Sequence, residues 1–165
     1  MFENEASFTI FLEVTNGALS NAVDSHTVLH CMHEESPWYG SVIQCSVNQA
    51  YDNEIHMPNS ENVKIYGSND LMAGTSAEGL ITRFVQRYNK ESKTVDVYSL
   101  KSYGTINQAT GVYTGSFSAL TESLILGCYR DSSGSKGRFW LGTINTITVY
   151  GTALSDDEVN AFLTS

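Results

Sequence analysis

The sequence predicts an all-β protein, built from two antiparallel sheets packed face to face and closed by one short C-terminal helix. Short runs rich in β-branched and aromatic residues recur along the 165 residues, with Gly, Asn, Asp and Ser clusters between them. No segment between the runs has the length of a helical crossover, which favours antiparallel pairing. A single helical signal stands at the end of the sequence. Together these three observations indicate a sandwich or a barrel.

The first strand signal is SFTIFLEVTN (7–16), in which Phe8, Ile10, Leu12 and Val14 alternate toward one face. Further runs are TVLHCMHE (27–34), YGSVIQCSVNQA (39–50) and NVKIYGS (62–68). GLITRFVQRYN (79–89) and KTVDVYSLKS (93–102) are separated by the polar turn NKES, which predicts a hairpin. SLILGCYR (123–130) and GRFWLGTINTITVY (137–150) flank a second polar connection, RDSSGSK.

The helix signal follows the last strand. Ser155 and Glu158 form the pattern of a capping box, in which the hydroxyl and the carboxylate each accept a backbone N–H. Acidic residues 156 and 157 occupy the first turn, where the helix dipole favours negative charge. An apolar stripe of Val159, Phe162 and Leu163 follows. A helix this short needs an apolar surface on which to dock.

Composition and charge exclude several classes of function. The length predicts one domain over residues 1–165. Charged residues make up 16% of the chain, and the formal net charge is -9. An acidic surface disfavours phosphate backbones, so nucleic acid is not an expected partner. No apolar run has the length of a membrane span, and the N-terminal MFENEASFTIF lacks the basic region of a signal peptide.

The three cysteines and the histidine cluster do not predict a disulfide framework or a metal site. Cys31, Cys45 and Cys128 stand in apolar runs and are interpreted as buried thiols, with a Cys31–Cys45 disulfide as the alternative. On a regular strand, His26 and His30 would share one face, while Cys31 and His33 share the other. A four-ligand transition-metal site cannot be made from both faces, so none is expected.

The C-terminal motif resembles that of a known family. A strand of the form Phe-x-Gly-x-Ile that ends in Tyr, then Ala-Leu-Ser, acidic residues and a small helix, is similar to the end of laminin G-like domains, which are concanavalin A-like jelly rolls. The matching residues are Phe139, Gly142, Ile144, Ile147, Val149, Tyr150, Ala153, Leu154, Ser155, Asp156 and Glu158. One extra residue stands between Phe139 and Gly142. FTIFLEVTN and ITRFVQRYNKESKTVDVYSLKSYG are similar to the family's opening strand and central hairpin, although SLK follows Tyr98 where the family usually turns.

The resemblance implies a two-sheet antiparallel jelly-roll sandwich, a fold that hosts lectins, adhesive modules and glycosidases. Glycosidases of this kind carry paired carboxylates two residues apart on a strand. We find no such pair on the predicted strands. The acidic pairs Glu34–Glu35 and Asp156–Asp157 are interpreted as solvated ends of elements. The chain is therefore not expected to be an enzyme.

No cofactor is predicted, and calcium is the metal that the resemblance implies. Relatives hold Ca²⁺ at a loop edge with oxygen ligands. The candidate ligands are Asp52, Asn53, Glu54, Asn69, Asp70 and Asp131. They do not form a spaced motif, and ordinary turn chemistry explains them equally well.

Sugar binding requires aromatic faces beside polar groups, because a ring can cover the apolar side of a pyranose while amides and carboxylates bond its hydroxyls. Three stretches offer that combination. The candidate ligand-binding residues are Trp38 and Tyr39, then Tyr51, Asp52 and Asn53, then Tyr103, Asn107 and Tyr113.

The sequence predicts a non-catalytic module that binds a glycan or another cell-surface polymer. The acidic composition, rich in Thr, Asn and Ser, is similar to that of phage virion modules, and a module of a bacterial surface protein or of a multidomain glycan-degrading enzyme fits nearly as well. We therefore expect a location on a virion surface or outside a cell. The first alternative is a structural domain of a capsid-decorating or fibre protein, with copies of itself or other virion proteins as partners. A glycoside hydrolase is the second alternative. Insertion into a membrane is not expected.

Overall fold

The computed structural model describes residues 6–17, 25–33, 39–46, 51–57, 63–66, 78–101, 104–113 and 123–165. The strands are β1 (Phe8–Thr15), β2 (Ser25–His33), β3 (Tyr39–Ser46), β4 (Tyr51–His56), β5 (Val63–Tyr66), β6 (Ile81–Asn89), β7 (Thr94–Lys101), β8 (Asn107–Val112), β9 (Ile125–Leu126), β10 (Tyr129–Arg130), β11 (Lys136–Gly137) and β12 (Thr143–Tyr150). One helix, α1 (Asp156–Thr164), follows β12.

The strands form two five-stranded sheets and a small hairpin. Sheet A has the order β12-β1-β6-β7-β8, sheet B has the order β5-β4-β3-β2-β9, and β10 pairs with β11. Every strand pair within them is antiparallel. The predicted fold class, a two-sheet antiparallel sandwich with a C-terminal helix, is confirmed.

The main core fills the space between the two sheets. The alternation predicted for β1 is confirmed, because Phe8, Ile10, Leu12 and Val14 are all buried there. They meet side chains from sheet B such as Ile43. Burial of this apolar surface is the main driving force for the association of the sheets.

A polar clamp crosses the same core. Gln86 Nε2 on sheet A donates to Asn53 Oδ1 on sheet B over 2.9 Å, and Ser41 Oγ donates to Gln86 Oε1. Asn53 Nδ2 in turn donates to the Tyr98 carbonyl over 2.7 Å. Buried amides need partners for both of their polar atoms. These bonds therefore fix how the two sheets lie over each other.

The C-terminal helix covers the outer face of sheet A. Val159 and Leu163 are buried against Val85 and Tyr98, and the Phe162 ring stacks on Phe11 with centroids 4.3 Å apart. The predicted capping box is also present. Within the described ranges, no helix is long and apolar enough to cross a membrane.

Two arginines of β6 hold the two ends of this helix. Arg87 donates to the Leu154 carbonyl and pairs with Asp96 and Asp156, while Arg83 donates to the Leu163 carbonyl and pairs with Glu13. Burial alone would raise the pKa of Glu13, but the bonds from Arg83 and Asn145 outweigh it and lower that pKa. The arginine spacing on β6 thus matches the length of the helix.

The segment Tyr51–His56 corrects the sequence interpretation. Its acidic residues were read as loop residues, but the segment is the strand β4 between β3 and β5. The expectation that no strand carries two carboxylates two residues apart is therefore wrong, since Asp52 and Glu54 do so. The strand was missed because Asn53 occupies an inward position where an apolar residue was expected.

The stretch Asn107–Val112 is a second strand that the sequence does not predict, within the stretch proposed to bind a ligand. It forms β8 at one edge of sheet A. Asn107 lies opposite Ser99, on the side of the sheet that faces the core, and is half-buried. Tyr113 is buried in the core. The small or polar inward residues of this strand explain why its periodicity was not visible.

The alternative of a Cys31–Cys45 disulfide is excluded by register. Cys31 lies opposite Ser41 and Cys45 lies opposite His26, so several residues of strand separate them. Each residue of strand adds about 3.3 Å, whereas a disulfide needs Cα atoms within about 7 Å. Cys31 and Cys128 are buried thiols, as predicted.

The run SLILGCYR was predicted as one strand but forms two. Ile125–Leu126 pairs with β2, whereas Tyr129–Arg130 pairs with β11. Gly127 separates them with a φ of 77°, a conformation that residues with a Cβ rarely adopt. The glycine therefore turns the chain from sheet B into the hairpin.

Candidate functional site

The candidate site lies on the outer face of sheet B, the face turned away from sheet A. Ser41, Ile43, Asn53 and Ile55 point into the core, so the alternate residues point outward. Four outward side chains are described on the two central strands, and we name them the central group: Val42, Gln44, Glu54 and His56. Helix α1 covers the other sheet, so this face is the natural place for a ligand.

Burial varies across the central group. Val42 and Glu54 are buried, while Gln44 and His56 are half-buried. His56 Nε2 lies 3.1 Å from Glu54 Oε2. The surface is therefore recessed at its centre, and solvent reaches it mainly at Gln44 and His56.

His30 extends the group onto β2. It lies opposite Val42 and is buried, with its ring 4.7 Å from the Tyr129 ring in an edge-on arrangement. A bulge between Thr27 and Leu29 shifts the register of β2. The prediction that His26 and His30 share a face is wrong, because this bulge places them on opposite faces.

Arg138 and Tyr129 stand beside the group at the rim. The Arg138 guanidinium lies over the Tyr129 ring, 4.7 Å from its centroid. Arg138 is exposed, and no described residue forms an ion pair with it. A cation–π contact orients an arginine but leaves its N–H donors available. The pair therefore presents a positioned, uncommitted guanidinium to solvent.

The backbone around Arg138 is held against sheet B. Arg138 has a φ of 51°, and its carbonyl accepts the Thr27 N–H over 2.7 Å. The next carbonyl, that of Phe139, accepts from His26 Nδ1 over 2.8 Å. A left-handed conformation in a residue other than glycine persists only where the surroundings impose it. The backbone that carries the Arg138 side chain is thus fixed by its contacts with sheet B.

Phe139 adds an exposed aromatic ring. Phe139 forms an isolated parallel β-bridge with Thr27, and Thr27 lies opposite Gln44. Phe139 is therefore in line with Thr27 and Gln44 across sheet B. Its side chain is 56% exposed, whereas the following Trp140 is buried in the core. The two neighbouring rings thus have different roles: Trp140 packs in the core, and Phe139 remains available at the rim.

The turn that joins β10 and β11 is closed by hydrogen bonds to one carboxylate. Asp131 Oδ1 accepts bonds from the Ser133 and Ser135 N–H groups, each over 2.9 Å, and from the Ser133 hydroxyl. Hydrogen bonds from Ser133 and then Ser135 lower the pKa of Asp131. This carboxylate stabilises the turn that carries Tyr129 and Arg138.

The hairpin is basic in an acidic protein. Arg130, Lys136 and Arg138 are three of the nine basic residues of the chain. Arg83 and Arg87, by contrast, are paired with carboxylates under the helix. A local positive potential raises the concentration of anionic ligands near a surface. The arrangement therefore favours an anion that can also accept and donate hydrogen bonds to polar neighbours.

The structure describes the side chains of three of the residues predicted from sequence, and it does not bring these three together at an exposed surface. Asn53 and Tyr113 are buried in the interior, and Asn107 lies on sheet A. Tyr39, Tyr51 and Asp52 lie in β3 and β4 with side chains outside the described set, and Trp38 and Tyr103 are outside the described residues. The candidate site is built from residues whose side chains the structure describes, and the ligand-binding roles of Trp38, Tyr39, Tyr51, Asp52 and Tyr103 stay predictions.

Sequence reasoning missed Tyr129 and Arg138 because both stood in a hairpin interpreted as structural. The available signal was the basic residues on either side of the polar turn DSSGS. His56 was missed with β4. From the sequence, Glu54 is named only as a calcium ligand. The pairing register of β2, β3 and β4 is what shows that its side chain lies on the same face of sheet B as the hairpin.

Of the calcium ligands named from sequence, Asn53, Glu54 and Asp131 have described side chains, and these three are not assembled into one site. Asp131 bonds within its own turn, Asn53 is buried, and Asn69 and Asp70 are outside the described residues. Across the described ranges, no group of three or more His, Cys, Asp or Glu side chains could hold a metal ion.

Comparison with known proteins identifies the fold. No protein-family model matches the sequence, and no curated protein matches it. A CBM40 module of the Ruminococcus gnavus IT-sialidase, solved with α2,6 sialyllactose, superposes with a TM-score of 0.68 and 15% identity over 96% of this chain and 83% of the module. The fold is a lectin-like jelly roll.

Two longer chains also contain this jelly roll. The leech intramolecular trans-sialidase, in complex with 2,7-anhydro-Neu5Ac, matches with a TM-score of 0.68 and 17% identity over 96% of this chain and 23% of that chain. The enzymatically active domain of bacteriophage CBA120 tailspike protein 2 matches with a TM-score of 0.61 and 12% identity over 96% of this chain and 24% of that chain. The present chain thus spans under a quarter of each.

Proposed function

We propose that this protein is a non-catalytic glycan-binding module that binds a carboxylate-bearing sugar on the outer face of sheet B. One observation carries the proposal: an exposed guanidinium lies over a tyrosine ring, on a constrained stretch of backbone, beside a recessed polar surface. The residues that would contact the sugar are Arg138, Tyr129, Phe139, Gln44, Glu54 and His56.

Each of these side chains can make a contact that an acidic sugar needs. The planar guanidinium of Arg138 can donate two parallel hydrogen bonds to a carboxylate. Glu54 and His56 can bond hydroxyls, and the Gln44 amide can both donate and accept. Phe139 offers an apolar ring for the C–H face of a pyranose. Because the polar groups are preorganised, little ordering entropy opposes binding.

The structural neighbours support the same ligand class. The R. gnavus module was solved with sialyllactose, whose sialic acid carries a carboxylate. A shared fold at this identity does not transfer a ligand. The support lies in the agreement between that ligand and the positive, aromatic rim found here.

The proposed setting is outside a cell or on a virion surface. The neighbours include modules of sialidases and a phage tailspike domain, and the latter favours a role in adhesion to a host glycan. In this proposal the parent protein supplies further activities and this chain supplies attachment. The partner is a glycan on the opposing surface.

The direct test is titration of the protein with 3′- and 6′-sialyllactose by calorimetry, with lactose as the neutral comparison. Arg138→Ala should reduce affinity about tenfold to a hundredfold, since hydrogen bonds to charged groups contribute about 1.5–3 kcal/mol. Lys136→Ala removes an exposed cation from the same hairpin and should leave affinity within about twofold. Arg138→Lys should rescue only part, because lysine cannot donate a bidentate pair.

Equal loss in both alanine variants would show that only the general charge of the hairpin matters, which contradicts the proposed site. Absence of binding to all sialylated and uronic-acid glycans would contradict the function itself. The titration is repeated with EDTA, and we expect no change, since every proposed contact is a protein side chain. Loss of binding in EDTA would restore the calcium interpretation.

A glycoside hydrolase is the second candidate, and β4 supplies the observation for it. Asp52 and Glu54 stand two residues apart on one strand, the arrangement that paired carboxylates need. Release of free sugar from the sialylated ligands, abolished in Glu54→Gln, would establish hydrolysis. Binding without release, and retained by Asp52→Asn, supports the non-catalytic module.

A further inference from the structure

We propose that the edge strand β12 pairs with the same strand of a second copy, so that two molecules form a continuous sheet A. β12 is the outermost strand of sheet A, and no described strand pairs with its outer side. An edge strand presents backbone N–H and C=O groups that can be satisfied by another strand. The partner that fits this edge is therefore another extended strand.

Charge and composition distinguish β12 from the other described edges. Its eight residues, TINTITVY, include no charged residue and no proline, although the chain has a net charge of -9. β5 contains Lys64, β9 has only two residues, and β8 contains Gly111. Charges, short length and glycine all weaken edge pairing. Two copies of this acidic protein can approach here without opposing like charges.

The exposed residues of β12 complement themselves in an antiparallel pair. Residues that oppose each other must lie on the same face of the sheet. With Thr148 opposite its own copy, Ile147 lies opposite Val149 on the inner face, and Thr146 lies opposite Tyr150 on the outer face. Val149 is 48% exposed in the single chain. The pairing covers this residue and places β-branched and aromatic side chains against each other.

The symmetry of the pair has a consequence that rests on the proposed function. A two-fold axis perpendicular to the joined sheet leaves both copies of sheet B on the same side of it. Both outer faces of sheet B, and hence both Arg138 side chains, then point in one direction. Two weak sites that face one glycan-coated surface bind it with higher avidity than either site alone.

Sedimentation velocity over a concentration series tests the pairing without any glycan. A single strand pair buries less than the roughly 1,200 Å² of a standard interface, so dimer formation is expected between about 10 μM and 1 mM. Thr148→Lys should keep the protein monomeric over that range. The matched control is Val112→Lys at the opposite edge of sheet A, where Val112 is 61% exposed, and it should dimerise like the parent protein.

A cysteine cross-link tests the register. Opposed residues of an antiparallel pair lie about 4.5–5.5 Å apart, within reach of a disulfide. Thr148→Cys should therefore form a covalent dimer under mild oxidation, and Val112→Cys should not. A parent protein that stays monomeric at 1 mM, or a cross-link equal in both variants, would overturn the pairing.

Glycan binding separates this proposal from the proposed function. On a densely sialylated surface, Thr148→Lys should bind at least tenfold more weakly than the parent, while its affinity for soluble sialyllactose stays unchanged. A dimer that binds no glycan would refute the proposed function and leave the pairing intact. A monomer that binds soluble sialyllactose would refute the pairing alone.

Discussion

Gly142 shows why one residue of the C-terminal motif must lack a side chain. A Cβ at this position would overlap the Thr15 carbonyl oxygen and would lie 2.7 Å from Trp140 Cζ2. The glycine allows the end of β1, the start of β12 and the indole to pack together. The motif glycine that the sequence resemblance emphasised thus has a steric reason.

Gly142→Ala should destabilise the protein by roughly 1–3 kcal/mol, the usual cost of overpacking. Gly151→Ala is the matched control, because a Cβ there meets nothing within 4 Å. Urea denaturation of both variants measures the difference. Equal stability of the two variants would show that the packing around Trp140 yields without cost.

At the scale of elements, the helix depends on β6 for both its apolar and its charged contacts. Arg87 and Asp96 have side chains only 12% and 5% exposed, whereas Arg83 and Glu13 are each 20% exposed. Removal of one partner from a buried pair leaves a charge without compensation. The two ends of the helix should therefore respond differently to loss of their arginine.

Arg87→Ala should cost about 3 kcal/mol of unfolding free energy, and Arg83→Ala about 1 kcal/mol, because a pair closer to solvent contributes less. Chemical denaturation followed by circular dichroism gives both values. If Arg83→Ala were the more damaging change, the burial argument for the N-terminal end of the helix would fail.

Sequence periodicity predicted the elements whose inward residues are apolar. β1, the β6–β7 hairpin and α1 were predicted correctly, because apolar residues mark their buried faces. β4 and β8 were missed, because Asn53, Asn107 and Gly111 occupy inward positions. The interior accepts Asn53 since Gln86 and the Tyr98 carbonyl satisfy its amide. These hydrogen-bond partners belong to the other sheet, so no local sequence pattern can reveal them.

The candidate site was equally hidden from the sequence. Arg138 stands far in sequence from Glu54 and His56, and they share a face only through the register of β2, β3 and β4. The bulge in β2 also breaks the regular alternation of inward and outward side chains along that strand. The sequence predicted the fold class and a glycan-binding role, but tertiary pairing decides which residues meet.

At the scale of the whole molecule, the proposed function assigns structural support to sheet A and ligand recognition to sheet B. Sheet A carries the helix on its outer face and its buried ion pairs, and it ends in the charge-free edge β12. Sheet B carries the central group and the basic hairpin. This division predicts that ligand binding leaves the environment of α1 unchanged.

The most direct measurement is an NMR titration of the ¹⁵N-labelled protein with sialyllactose. We expect the amide shifts to change in β3 and β4 and in residues 129–139, with those of α1 and β7 unaffected. Arg138→Ala should reduce the changes strongly at the same ligand concentration, in line with its about tenfold to hundredfold weaker affinity, while the rest of the spectrum is retained. Shift changes confined to sheet A, or none at about 10 mM ligand, a concentration that detects even millimolar affinity, would contradict glycan recognition by sheet B.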